Sequence, residues 1–188
     1  MAHHIEKLLP RRFLLELGTY VQTCAHIELL ACGLLVCLKG KNPSDPDWFA
    51  SYSTTRKLGT ADLRIQLESA SSKAGDYGFQ KDLKALCDWI KQFTNNRHIA
   101  VHGAFVGTPE GFLRVDYLHK EKRNGNPEFR RERTAVTPEI VAEALNDADR
   151  IYITLMGMLE QIRLGLSSEV YRAAIPCVVH PDGSPNSQ

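Results

Sequence analysis

Arg97-His98-Ile99-Ala100-Val101-His102-Gly103 is the stretch of this sequence best equipped for chemistry. It sets an arginine and a histidine five positions apart, in what reads as the last turn of an amphipathic helix. The negative end of a helix dipole is a favourable place for a basic side chain. Arg97 is a permanent cation with a forked set of donors, suited to gripping a planar or tetrahedral oxyanion. His102 is of the side-chain type that exchanges protons near neutral pH. A cation and a base together form a minimal kit for binding and cleaving a phosphodiester.

Five residues along a helix advance about 7.5 Å and turn about 140°. Arg97 therefore lines up with Val101, and His98 with His102. One ligand reaches both Arg97 and His102 only in a cleft that wraps the helix edge. A second copy meeting that edge across a two-fold axis would also complete it. Spacing alone equally allows a structural use, with Arg97 paired to a buried acid such as Glu28 and His102 capping helix-end carbonyls.

The elements that must position these residues are legible in the apolar spacing. A first helix is predicted over residues 10–39, stopping at Gly40, with Leu14, Leu17, Val21, Cys24, Glu28, Ala31, Leu35 and Leu38 as one stripe. Its second half is apolar on most faces, which predicts a central helix. Glu28 is the odd member, costly unless it is paired or opens onto a cleft. Residues 48–57 are ambiguous. A second helix is predicted over residues 60–73 with Thr60 as N-cap. In the third, Phe79, Leu83, Leu86, Cys87, Ile90 and Phe93 form the inner face, the stripe continues through Arg97 and Val101, and Gly103 stands ready to end the helix after His102.

After Gly103 the period changes to two. Short strands are predicted over residues 104–106 and 112–117, with a turn at residues 107–111 between them. A further strand over residues 129–136 follows a turn at Asn124-Gly125-Asn126. Thr137-Pro138-Glu139 then opens the last long helix, with Thr137 as N-cap. The expected fold class is all-α: an antiparallel helical bundle of about four helices with a small β-hairpin insert between helices three and four. The expected organisation is a single domain over residues 1–166, the insert occupying about 104–136, and a weakly ordered tail over 167–188.

Composition narrows the function classes. With 188 residues, 43% hydrophobic and 24% charged, the chain reads as an ordinary globular protein. Its net charge of +1 supplies no global field toward nucleic acid, so any such contact needs a local patch. Lys120, Lys122, Arg123, Arg130, Arg131 and Arg133 provide one in the insert, though Glu121, Glu128 and Glu132 are interleaved. Five scattered cysteines, Cys24, Cys32, Cys37, Cys87 and Cys177, show no metal-binding spacing and read as reduced thiols in a cytoplasmic protein. Glu16 and Glu28 interrupt the apolar N-terminal stretch, so neither a signal peptide nor a membrane span is expected. No metal and no cofactor are expected.

Arg97, a polar residue at His98, three small or apolar residues and then His102-Gly103 resemble the R-x4-H motif of the HEPN superfamily. These are small all-helical domains of toxin, defence and RNA-processing proteins. The resemblance spans roughly residues 10–165 and implies a homodimeric, metal-independent endoribonuclease whose motifs meet across the two-fold interface. It implies that Arg97 holds the scissile phosphate and stabilises transition-state charge. His102 would be the general base toward the ribose 2′-OH or the general acid toward the leaving oxygen. His98 and Asn96 would orient Arg97 or touch substrate, Lys122, Arg123, Arg130 and Arg131 would hold the RNA backbone, and Glu28 would support Arg97 from behind. A toxin or defence effector with a neutralising antitoxin partner is the setting implied. Two alternatives stand beside this one: an inactive HEPN-like module binding RNA or protein, and a helical scaffold dimer with no nucleic-acid role.

Overall fold

Residues 11–38 carry too many apolar side chains for one face, and they form a single helix that is buried on every side over residues 31–36. The computed structural model describes residues 4–72, 76–108, 113–123 and 126–174. Among these the element order is α1 (His4–Leu8), α2 (Arg11–Leu38), α3 (Trp48–Thr55), α4 (Thr60–Ser71), α5 (Tyr77–His102), β1 (Ala104–Gly107), β2 (Leu113–Arg123), β3 (Asn126–Val136), α6 (Pro138–Leu164) and α7 (Ser168–Ala174). The protein is mostly helical, with one small antiparallel sheet in the order β1-β2-β3.

Helix ends follow the residues that punctuate them. Gly40 (φ 83°) and Gly165 (φ 64°) take the left-handed conformation. At each, the glycine N–H and the next N–H turn back to the helix carbonyls: Gly40 to Cys37 and Lys41 to Val36, Gly165 to Ile162 and Leu166 to Gln161. Both are Schellman closures, for which glycine carries no Cβ penalty. Thr137 caps α6 through a 3.3 Å bond from the Ile140 N–H to its Oγ1.

Three expectations change. The ambiguous segment is helical as α3: Trp48 and Tyr52 stack at 4.8 Å, and the Tyr52 hydroxyl donates to the Leu29 carbonyl on α2. Thr60 is not the cap of α4; Gly59 occupies that position, and the Thr60 hydroxyl donates instead to Glu28 Oε1 at 2.7 Å. A carboxylate acceptor makes the stronger bond, so the hydroxyl leaves the helix end to serve it. Residues 168–174, where a loose tail was expected to begin, form α7 with Ser168 and Tyr171 buried. The predicted turn at 107–111 and the predicted strand start at Phe112 fall in part on residues 109–112, which lie outside the described residues. So do Asn124, Gly125 and the tail over 175–188.

The chain separates into two compact units. One, residues 23–94 and 147–188, is helical in its described residues. Leu34, Leu35, Leu67, Leu83, Leu86 and Leu155 are wholly buried in it. Asp76 joins two helix starts there, accepting from the Phe79 N–H at 2.9 Å, the Ser168 N–H at 2.6 Å and the Ser168 hydroxyl at 2.7 Å. These bonds, the Ser168 N–H foremost, hold its carboxyl below the usual carboxylate range. By length and composition α2 qualifies as a membrane-crossing helix, with a window of mean hydropathy 1.8 of which 44% is buried inside the protein.

The other unit, residues 1–22 and 95–146, contains the sheet and the Arg97–His102 segment. Leu9, Phe13, Tyr20 and Val115 are its buried apolar residues, and the Phe13 and Phe105 rings meet at 5.0 Å. An apolar cavity of about 180 Å³ lies within it, lined by Phe13, Tyr20, Ile99, Phe105 and Val115 among others.

Candidate functional site

The last turns of α5 carry the motif without a break, and their faces are sharply divided. Ile99 and Ala100 turn inward and line the apolar cavity. Arg97 is half-buried, whereas His98, Val101 and His102 are exposed. The His98 and His102 rings lie one above the other with centroids 4.8 Å apart and planes at 49°. This is the i, i+4 adjacency that helix geometry demands. Asn96 does not join them; it is on the cavity side of the helix. The structure thus brings His98 and His102 together on one exposed edge, with Arg97 about a third of a turn away.

Gly103 is required for a reason other than a left-handed turn. Its N–H still donates to the Ile99 carbonyl at 2.8 Å, so the helical bond pattern reaches it. A Cβ at this position would sit 2.5 Å from the Ile99 carbonyl oxygen and 2.5 Å from Val115 Cγ2. Only a residue without a side chain lets β2 come this close to the end of α5.

The sheet continues directly from the motif. Ala104, two residues beyond His102, pairs with Asp116, which in turn pairs with Arg133 on β3. Around Asp116 three guanidinium groups converge: Arg131 at 2.6 Å, Arg114 at 3.3 Å and Arg133 at 3.4 Å. The hydrogen bond from Arg131 comes first among the causes that hold the Asp116 carboxyl below the usual carboxylate range. Three cations on one carboxylate leave a local excess of two positive charges. All three arginines remain substantially exposed, while Asp116 is mostly covered. Leu118, on the same side of β2, is 63% exposed.

Of the predicted backbone-holding residues, Arg131 is therefore placed in a defined cluster. The side chains of Lys122, Arg123 and Arg130 lie outside the described residues. Asp116 and Arg114 were not anticipated as part of the patch. Their signal was present in the sequence as Arg114-x-Asp116 and Arg131-x-Arg133, two period-2 pairs that share a face once the strands are in register. Glu132, expected to interleave with the cations, accepts instead from the Tyr117 hydroxyl opposite it.

Glu28 belongs to the helical unit, half-buried rather than fully enclosed. It opens onto a cavity of about 150 Å³ that Cys32, Arg56 and Thr60 also line. Cys24, Cys32 and Cys87 are buried and Cys37 partly so, and none of the four is in a disulfide. Burial pushes the Cys32 thiol up to about 11 and the Cys87 thiol to about 12, which makes both poor nucleophiles and poor metal ligands. Among the described residues no group of three or more His, Cys, Asp or Glu is arranged to hold a metal ion.

Comparison with protein-family models, with curated proteins and with solved structures returns no match for this chain.

Proposed function

We propose that this protein is a HEPN-like, metal-independent endoribonuclease that acts as a homodimer, its helices forming an antiparallel bundle with the sheet as an insert. The observation that carries the reading is the continuity of base and cation patch. His102 stands exposed at the end of α5, and two residues later the chain enters a sheet whose face gathers three arginines around Asp116. Groups able to grip phosphate thus follow a proton-transfer group closely along the chain, Ala104 pairing with Asp116 two residues after His102.

Arg97 neutralises the scissile phosphate as charge builds in the transition state. His102 takes the proton of the ribose 2′-OH, and the 2′ oxygen bonds to phosphorus. The bond from phosphorus to the 5′ oxygen breaks, and the same histidine of a second copy donates a proton to that oxygen. The products are a 2′,3′-cyclic phosphate and a 5′-hydroxyl. The requirement for a 2′-OH restricts the substrate to RNA. The offset of about a third of a turn between Arg97 and the histidine edge is the physical reason for invoking a second copy.

The cellular setting follows from the same reading: a cytoplasmic effector of the toxin or defence type, α2 serving as a core helix, restrained by a neutralising partner protein. The arginine cluster favours a second reading, an RNA-binding module without turnover, because phosphate contacts do not depend on His102.

RNA cleavage in the presence of a chelator separates these. His102→Ala and Arg97→Ala are each expected to lower the rate by about 100-fold or more while leaving the thermal melt intact. RNA bound without product supports the inactive module, and full activity in both variants overturns the ribonuclease reading.

A further inference from the structure

We propose that His98 and His102 form a two-histidine site for a late first-row divalent cation, zinc or copper, and that its occupancy switches cleavage off. The second half of this statement rests on the ribonuclease reading; the first half does not.

Two histidines at i and i+4 on one helix face are the spacing that zinc-binding helices use, because both rings overhang the same turn. The spacing becomes a site only if the rings approach one another, and here they do. Zinc lies 2.0–2.1 Å from an imidazole nitrogen, which puts the ion about 3.2 Å from the ring centroid. Two such rings at a tetrahedral angle have centroids about 5 Å apart. The observed separation is 4.8 Å, with the planes already tilted by 49° rather than stacked flat. Both side chains face solvent, so an ion reaches them without opening the fold. Imidazole is a ligand common to zinc, copper and nickel, and the Irving–Williams order places copper above zinc at such a site.

One chain supplies two ligands, leaving the remaining positions to water or to the same pair on a second copy. In either case His102 binds through a nitrogen lone pair that the proposed reaction needs for the 2′-OH proton. A nitrogen bound to a metal accepts no proton, so metal and catalysis exclude one another. The protein is in this sense metal-independent in turnover and metal-sensitive in control.

Titration of the untagged, full-length protein with zinc chloride and with copper sulfate, followed by calorimetry, reads the binding directly. The wild type is expected to bind both, copper more tightly than zinc. His98→Ala and His102→Ala should each weaken zinc binding by about tenfold or more. His26→Ala, on another helix, should not. Cleavage with zinc is then compared, variant by variant, with cleavage by the same variant in chelator. Wild-type activity should fall on adding zinc and recover on removing it, and His98→Ala should lose that sensitivity in whatever activity it retains. Zinc binding that is unchanged in His98→Ala, or absent in the wild type up to about 1 mM, overturns the site. Zinc bound at the pair without effect on a working ribonuclease overturns the switch. If the metal binds but no variant ever cleaves RNA, the site stands and the ribonuclease reading falls.

Discussion

At Gly103 the constraint is space, and it links the motif to the sheet. A methyl group there meets a backbone carbonyl on one side and the Val115 side chain on the other, both at 2.5 Å. Val115 is 1% exposed, and although the cavity it lines leaves its side chain some room, the Ile99 carbonyl is fixed in the helix backbone. Gly103→Ala is expected to destabilise the fold by about 1–3 kcal/mol, the usual cost of overpacking, measured by urea denaturation. Adding Val115→Ala should give a non-additive recovery, because one of the two collisions is relieved while the one with the Ile99 carbonyl remains. A neutral Gly103→Ala would mean that α5 and β2 are not held this close.

Among the elements, the hairpin of β2 and β3 shows how charge is organised by register. Arg114, Arg131 and Arg133 come from separate positions in the sequence, and antiparallel pairing brings them to one carboxylate. If the cluster holds RNA phosphates, Arg131→Ala combined with Arg133→Ala should weaken RNA binding. It should also reduce the slope of log affinity against log salt by about 0.7 for each single-strand phosphate that the variant no longer neutralises. Binding measured over a salt series supplies the slope, and an unchanged value would remove this face from the RNA reading. The Asp116 carboxyl, lowered chiefly by the hydrogen bond from Arg131, keeps its charge through the usual carboxylate range and loses it only as pH falls below that range. The cluster is therefore intact at neutral pH.

For the whole molecule the open claim is the shared site. Within one chain, Arg97 and the His98–His102 edge point in different directions from the same helix. A dimer resolves that offset if the two chains face one another, so that one site takes a His102 from each of them. Mixing wild type with an equal amount of His102→Ala and allowing subunits to exchange should then leave about a quarter of the cleavage given by the same total amount of wild type, because only about a quarter of the dimers carry both histidines. A mixture that keeps about half would mean that each site uses the histidine of one chain alone.

That the motif ends a helix and that His98 shares a face with His102 were readable from sequence because helical rotation per residue is fixed, but the inner stripe does not continue through Val101, which is exposed, and Ile99 and Ala100 line the cavity instead. The long apolar helices, the glycine that closes α2 and the cap of α6 were readable for the same local reasons. The far ends of β2 and β3 were not. Their residues are charged and polar, with no apolar alternation to mark a strand, and the cross-strand ladder from Lys120 to Arg123 is what makes them one. The helicity of α3, the diversion of Thr60 to Glu28 and the folding of α7 each depend on a partner distant in the chain. The amino-acid order by itself determined which residues share a helix face, since that is a matter of angle. Only the tertiary structure decided that Asp116 gathers three arginines beside the motif and that Gly103 exists to let β2 approach, since those are matters of register and distance between segments that sequence spacing does not set.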